Sequence, residues 1–185
     1  LDTAGYRRGH GAPPEDTLGT GNIHGQNWIP AECDVSIRPG WFYHAEEDDK
    51  VKTPEQLFEL YLKSVGRGAN LLLNVPPDRR GWIHEKDSAS LIGFRRLLDK
   101  CFATNLALNE RAELHRSGGI FRRKDFNDGD ANSFERIGDY KNDRLWIKFN
   151  PVKKINCLVL QEALEEGQQV ISAKLILLNG TKVVR

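Results

Sequence analysis

The chain has 185 residues, 39% hydrophobic and 29% charged, with 27 basic residues against 26 acidic ones and a formal net charge of +1. This is a soluble globular composition with room for one good core, or for one and a half domains. It leaves no electrostatic case for a nucleic-acid partner, and no apolar run approaches the ~20 residues of a membrane-spanning helix.

The sequence contains no Met and opens on LDTAGYRRGHGAPPEDTLGTG, a polar, turn-rich stretch. It reads as the inside of a longer protein, or as a chain from which Met residues have been dropped, and no signal or transit peptide is recognisable. Cys33, Cys101 and Cys157 are widely spaced, odd in number and without a CxxC pair. Three unpaired, mostly buried thiols are expected, rather than a zinc or redox site.

Residues 1–27, rich in Gly, Pro, Asn and Thr, predict a loop, with His24 and Trp28 near its end. Val35-Ser36-Ile37 predicts a short strand and Pro39-Gly40 a turn, with Trp41-Phe42-Tyr43 continuing in extended form by aromatic β preference. The acidic run from Ala45 to Lys50 reads as a solvated loop.

A helix start follows: Thr53 can cap, Pro54 suits the first helical position, and Gln56 completes a capping box. Leu57, Leu60, Tyr61 and Val65 then fall at helical spacing until Gly66 and Gly68. Asn70 to Val75 is a continuous apolar run, as expected of a parallel strand covered on both faces. A second helix is predicted from Lys86 to Cys101, where Leu91, Phe94, Leu98 and Cys101 form one stripe with Leu97 beside it. The order strand, helix, strand, helix is that of an α/β barrel or a doubly wound sheet.

Beyond residues 102–106 the helical pattern stops. Short apolar runs at Leu106-Ala107-Leu108, Leu145 to Phe149, Ile155 to Leu160 and Ile171 to Leu178 suggest strands. Turn signals at 127–130 and at Asn179-Gly180 separate them. The expected organisation is therefore α/β: residues 1–102 as the C-terminal portion of a (β/α)8-like barrel, and 103–185 as a partial all-β sandwich.

Sugar recognition needs charged and polar groups to grip hydroxyls, and flat rings to stack on the apolar sugar face. Glu32, Arg38, Trp41, Tyr43 and His44 supply both within thirteen positions. They run from a strand into a loop, where barrel active sites gather. Four of them have a second reading: Trp41 as core, Arg38 as an anchor for a carboxylate such as Glu32 or Asp34, Tyr43 and His44 as buried side chains satisfied by backbone.

The run PAECDVSIRPGWFYHAEEDDKV, a helix, and then SVGRGANLLLNVPPDRRGWI together resemble glycoside hydrolase family 29, the α-L-fucosidases, over about residues 15–100. The form SIRPGWFYH looks like the branch acting on α-1,3/1,4-linked fucose. The resemblance implies a retaining exo-hydrolase of fucosylated oligosaccharides or glycoconjugates, needing no cofactor and no metal. Its secreted, periplasmic or lysosomal setting is a habit of the family. In that chemistry two carboxyl groups sit roughly 5–5.5 Å apart, one as nucleophile and one as acid then base. The family places both before the PAE motif, so they are expected N-terminal to Leu1, and no catalytic residue is assigned within the chain. Trp41 matches the aromatic residue that packs on fucose. Glu32 matches the Glu of a Trp-Glu segment in which Ala31 here replaces the Trp.

Asn105 to Asn109, DGDANSFE, LWIKF and INCLVLQEALEEGQQV resemble discoidin-like, galactose-binding-type β-sandwich modules. There Asp128 and Asp130 read either as calcium ligands or as an Asx-Gly turn, and Phe134 and Trp146 as sandwich core. The competing functions are a non-catalytic fucosylated-glycan-binding protein and a lectin-like adhesion domain.

Overall fold

The computed structural model describes residues 31–137, 143–163, 170 and 172–184. The opening loop expected over residues 1–27, with His24 and Trp28, lies outside the described residues. The chain divides between Cys101 and Phe102 into two compact units.

In the first unit, β1 (Glu32–Ser36) pairs in parallel with β2 (Asn70–Asn74), Glu32 opposite Asn70 through Ser36 opposite Asn74. Backbone bonds extend the ladder at both ends, from Asn70 N to Ala31 O (2.8 Å) and from Ile37 N to Asn74 O (2.9 Å). A parallel pair needs a crossover, and α1 (Pro54–Lys63) supplies it. Its start is the expected one. The Thr53 hydroxyl accepts from Gln56 N, the Gln56 side chain accepts from Thr53 N, and Pro54 occupies the first turn. The helix stops at Lys63, a 3-10 turn (Val65–Arg67) follows, and Gly68 at φ 81 takes the left-handed conformation that a side chain would resist.

The second helix, α2 (Glu85–Phe102), begins one residue before the predicted start and ends one after. It packs on the start of α1. The Ser90 hydroxyl donates to the Lys52 carbonyl, and the Tyr61 and Phe94 rings meet edge-on at 6.1 Å. Gly93 lies so close to Pro54 that a Cβ there would sit 2.5 Å from Pro54 Cγ.

Three expectations for this unit change. Residues 41–43 do not continue as a strand; the chain bends after β1. The Ser36 hydroxyl donates to Gly40 O (2.6 Å), and Asn74 Nδ2 donates to Trp41 O (2.9 Å). These bonds hold the backbone in a turn that aromatic β preference cannot undo. Ala45–Lys50 is a 3-10 helix rather than a loop. The strand pair is also not covered on both faces among the described residues, since Leu72 is 51% exposed. Ile37 and Leu57 are the wholly buried apolar side chains here.

In the second unit, three antiparallel strands form a sheet in the order β4 (Gly119–Arg123), β3 (Arg111–Arg116), β5 (Arg144–Lys148). A separate small hairpin pairs β6 (Leu178–Asn179) with β7 (Lys182–Val183) across the predicted Asn179-Gly180 turn. Ala112 and Leu114 are buried, opposite Ile147 and Leu145 on β5.

The strand expectations for this half hold only in part. Leu145 to Phe149 overlaps β5, but Leu106-Ala107-Leu108 is a turn closed by Leu108 N to Asn105 O and Glu110 N to Ala107 O. Ile155 to Leu160 forms no strand, and of the described residues 172–178 only Leu178 enters one. All three cysteines are free as expected, but half-buried rather than buried.

Gly93→Ala tests the helix contact. Alanine gains about 1 kcal/mol of helix propensity, but overpacking against Pro54 costs about 1–3 kcal/mol. A net loss is expected, read as a lower thermal midpoint than wild type.

Candidate functional site

The site is built on a charge that the fold takes fully out of water. Arg38 is 1% exposed, two residues beyond β1. Its Nε and Nη2 donate to Asp87 Oδ2 at 3.0 and 2.9 Å, and Asp87 is itself fully buried in the first turn of α2. Its Nη1 donates to Asp48 Oδ1 (3.0 Å) and to the His44 carbonyl (3.3 Å). Its face stacks on the Tyr43 ring at 4.7 Å. Burial opposes the charge, but the hydrogen bonds to Asp87 and Asp48 outweigh it and hold the guanidinium more firmly protonated than usual. Burial, then Asp48, push the Tyr43 phenol up.

Arg38 therefore ties the bend, the 3-10 helix and α2 together. Its carboxylate partners are Asp87 and Asp48, not the Glu32 or Asp34 suggested by proximity in sequence. Asp48 is correspondingly more than part of a solvated acidic run. Lys52 Nζ closes the bend from below by donating to the Ser36 and Arg38 carbonyls.

The other candidates lie around this frame. Trp41 is 50% exposed on the bend, Tyr43 is half-buried, and the His44 side chain is exposed with Nδ1 3.8 Å from Glu46 Oε1. Glu32 is set apart from these four. It begins β1, six residues before Arg38, which is roughly 20 Å of extended chain.

Beside Tyr43 lies an open cleft of about 300 Å³. Tyr43 and Ala45 line it on one side; Asp78, Arg79, Arg80, His84 and Glu85 line it on the other. Its far wall is a tight loop in which Asp78 N donates to Trp82 O (2.7 Å) and Gly81 N to Asp78 O (2.9 Å). Asp78 is 8% exposed, and the Arg80 side chain donates to it twice. Those hydrogen bonds, against a smaller burial effect, hold its carboxyl down at about 2. His84 Nε2 sits 3.4 Å from both Asp48 and Glu85, and its ring lies 5.7 Å from that of Tyr43.

Asp48, Asp87, Asp78, Arg80 and His84 were not singled out from sequence. A signal existed for Asp87. It stands four residues before Leu91, on the stripe that continues through Phe94 and Leu98. A carboxylate on an apolar stripe requires a buried cationic partner. The others come from loops whose spacing carries no period.

In the second unit, Asp128 accepts from Asp130 N (2.9 Å) and from the Ser133 hydroxyl (2.8 Å), and Asp130 accepts from Asn132 N (2.9 Å). These are turn bonds. Among the described residues, no cluster of three or more His, Cys, Asp or Glu side chains could hold a metal. No helix among them is long and apolar enough to cross a membrane.

Two outcomes check this frame. Arg38→Met leaves Asp87 buried and unpaired, and should cost about 3–5 kcal/mol in a urea titration, with Arg38→Lys intermediate because it keeps the charge without the fork. Asp78→Asn should lower the thermal midpoint at neutral pH. The Asp78 carboxyl is depressed from 3.8 to about 2, so its contribution is full above the unfolded value and is lost as pH falls through the folded one. Wild type and variant should therefore converge below about pH 2.

Residues 13–100 match the family model described as Alpha-L-fucosidase. The chain is 38% identical over 160 residues to Alpha-L-fucosidase 1 of Arabidopsis thaliana, covering 82% of this chain and 31% of that protein. Among solved structures, one from Bacteroides thetaiotaomicron is 41% identical, with a TM-score of 0.56 over 64% of this chain and 26% of its own. A second, SpGH29, is 37% identical with the same TM-score and the same coverage. The chain thus spans about a third of the length of the curated relatives it matches. Over residues 13–100, which carry the bend, the Arg38 frame and the cleft, the chain is similar to the alpha-L-fucosidases, glycoside hydrolase family 29.

Proposed function

We propose that this chain contributes the sugar-binding wall of a retaining exo-α-L-fucosidase that releases terminal α-1,3/1,4-linked L-fucose from glycans. The observation that carries this reading is Trp41. It is a large ring, half exposed on a bend whose neighbours are tied down by a buried guanidinium. A stacking platform must present its ring to the ligand from a backbone that is held in place.

In this reading Trp41 stacks on the apolar face of fucose, while Tyr43 and His44 offer polar contacts from the same bend. Arg38 positions all three and does not touch the sugar, because it is buried and its Nε, Nη1 and Nη2 each already donate to a protein acceptor. Glu32, at the far end of β1, acts on the sugar only through its neighbours in the complete barrel. The nucleophile and the acid/base belong to other parts of the polypeptide. The second unit is read as part of a β-sandwich module attached to the barrel.

Two measurements test this. Purified as these 185 residues, the chain should show no sustained turnover of a chromogenic α-L-fucoside; turnover would place the catalytic carboxylates within it. In the complete enzyme, Trp41→Ala should raise KM by roughly tenfold, the loss of about 1.4 kcal/mol of stacking. An unchanged KM would make Trp41 scaffold.

A further inference from the structure

One face of the β4-β3-β5 sheet is ionic, and nothing in the proposed fucose wall uses it. Residues directly opposite in an antiparallel ladder share a face, as do residues two apart on one strand. Arg111, Glu113 and His115 on β3 therefore share a face with Ile120 and Arg122 on β4 and with Arg144, Trp146 and Lys148 on β5. Contacts agree with the register. Glu113 receives hydrogen bonds from Lys148 Nζ (2.6 Å) and Arg111 Nε (2.6 Å). It lies 3.3 Å from His115 Nε2, whose ring is 5.5 Å from that of Trp146.

Glu113 is 2% exposed, and its single charge is consumed within this network. The hydrogen bond from Lys148, against burial, and then those from Arg111 and His115, hold its carboxyl at about 2. Four Lys and Arg side chains thus face one carboxylate, which leaves an excess of three positive charges on three short strands. Arg122 and Arg144 are exposed and, among the described residues, make no ion pair. Like charges at strand spacings of roughly 4.8 Å across and 6.7 Å along repel one another. The excess of cations calls for oxygen-rich anionic groups.

We infer that this face binds an anionic saccharide chain, one carrying sulfate or carboxylate groups, with Arg122 and Arg144 as its charge contacts and the Trp146–His115 ring pair between them. Anion binding follows from the face itself. The choice of a saccharide over other polyanions rests on the proposed glycosidase function, supported by the near-neutral net charge of the chain.

The test is calorimetric titration of the chain with a chondroitin sulfate hexasaccharide, a hexagalacturonate, uncharged cellohexaose and a short DNA duplex. One or both anionic saccharides should bind, weakening several-fold with added salt as charges are screened, while cellohexaose does not. The two anionic arms distinguish sulfate from carboxylate. Arg122→Ser with Arg144→Ser should weaken binding at least tenfold with an unchanged circular dichroism spectrum, and Arg96→Ser, an exposed Arg on α2, should leave it unchanged. Absence of binding, or binding indifferent to the double variant, overturns the inference. DNA binding as tight as the best saccharide overturns it too. Fucoside turnover by the complete enzyme is read separately, so failure here and failure of the proposed function are distinguishable.

Discussion

The first unit depends on finding partners for a guanidinium removed from water. Arg38 has five N–H donors in one plane, and each that is left unmet in the interior costs stability. Its fork is met by Asp87, its remaining edge by Asp48 and the His44 carbonyl, and its flat face by Tyr43. These partners come from three separate stretches of chain, so satisfying one side chain sets the positions of a bend, a 3-10 helix and the start of α2. A buried ion pair of this kind contributes little net stability over an apolar substitute. Its return is geometric, because one side chain ties all of these segments together.

That constraint explains why the exposed aromatics lie where they do. The bend after Ser36 could not hold Trp41 by packing, since Trp41 and Phe42 are both largely in solvent. Polar bonds hold it instead: the Ser36 hydroxyl to Gly40, the Asn74 amide to the Trp41 carbonyl, and the Lys52 ammonium to two carbonyls. The backbone is tied by hydrogen bonds and the rings are exposed, which suits a surface that meets a ligand. The Asp78 loop beside it follows the same plan, with one buried carboxylate organising two backbone groups and an arginine.

The second unit solves the opposite problem. Its small apolar face, Ala112 and Leu114 with Leu145 and Ile147, gives the sheet a core side. The other face is held by charge, through Glu113 and the cations around it. Its strands were hard to read because RAELHR and GIFRR look like charged loop when scanned for apolar runs. The alternation Ala112, Leu114 against Arg111, Glu113, His115 was present, with Ser117-Gly118 as the turn between the two strands. The apolar runs at 106–108 and 155–160 drew attention away from it.

By itself the sequence determined what is local or repeated along the chain. Thr53, Pro54 and Gln56 start α1 because capping involves neighbours in sequence. Asn70 to Asn74 is a strand because a continuous apolar run of that length has few other places to go. The SIRPGWFYH and NLLLNVPP segments carried the family for the same reason, being long and uninterrupted. Only the tertiary structure decided which carboxylates meet Arg38, that residues 41–43 turn away from the sheet, and that Glu32 stands apart from Arg38, Trp41, Tyr43 and His44. Asp87 lies 49 positions from Arg38. Pairings at that range are chosen by the need to satisfy a buried charge in three dimensions, and no spacing along the chain records that need.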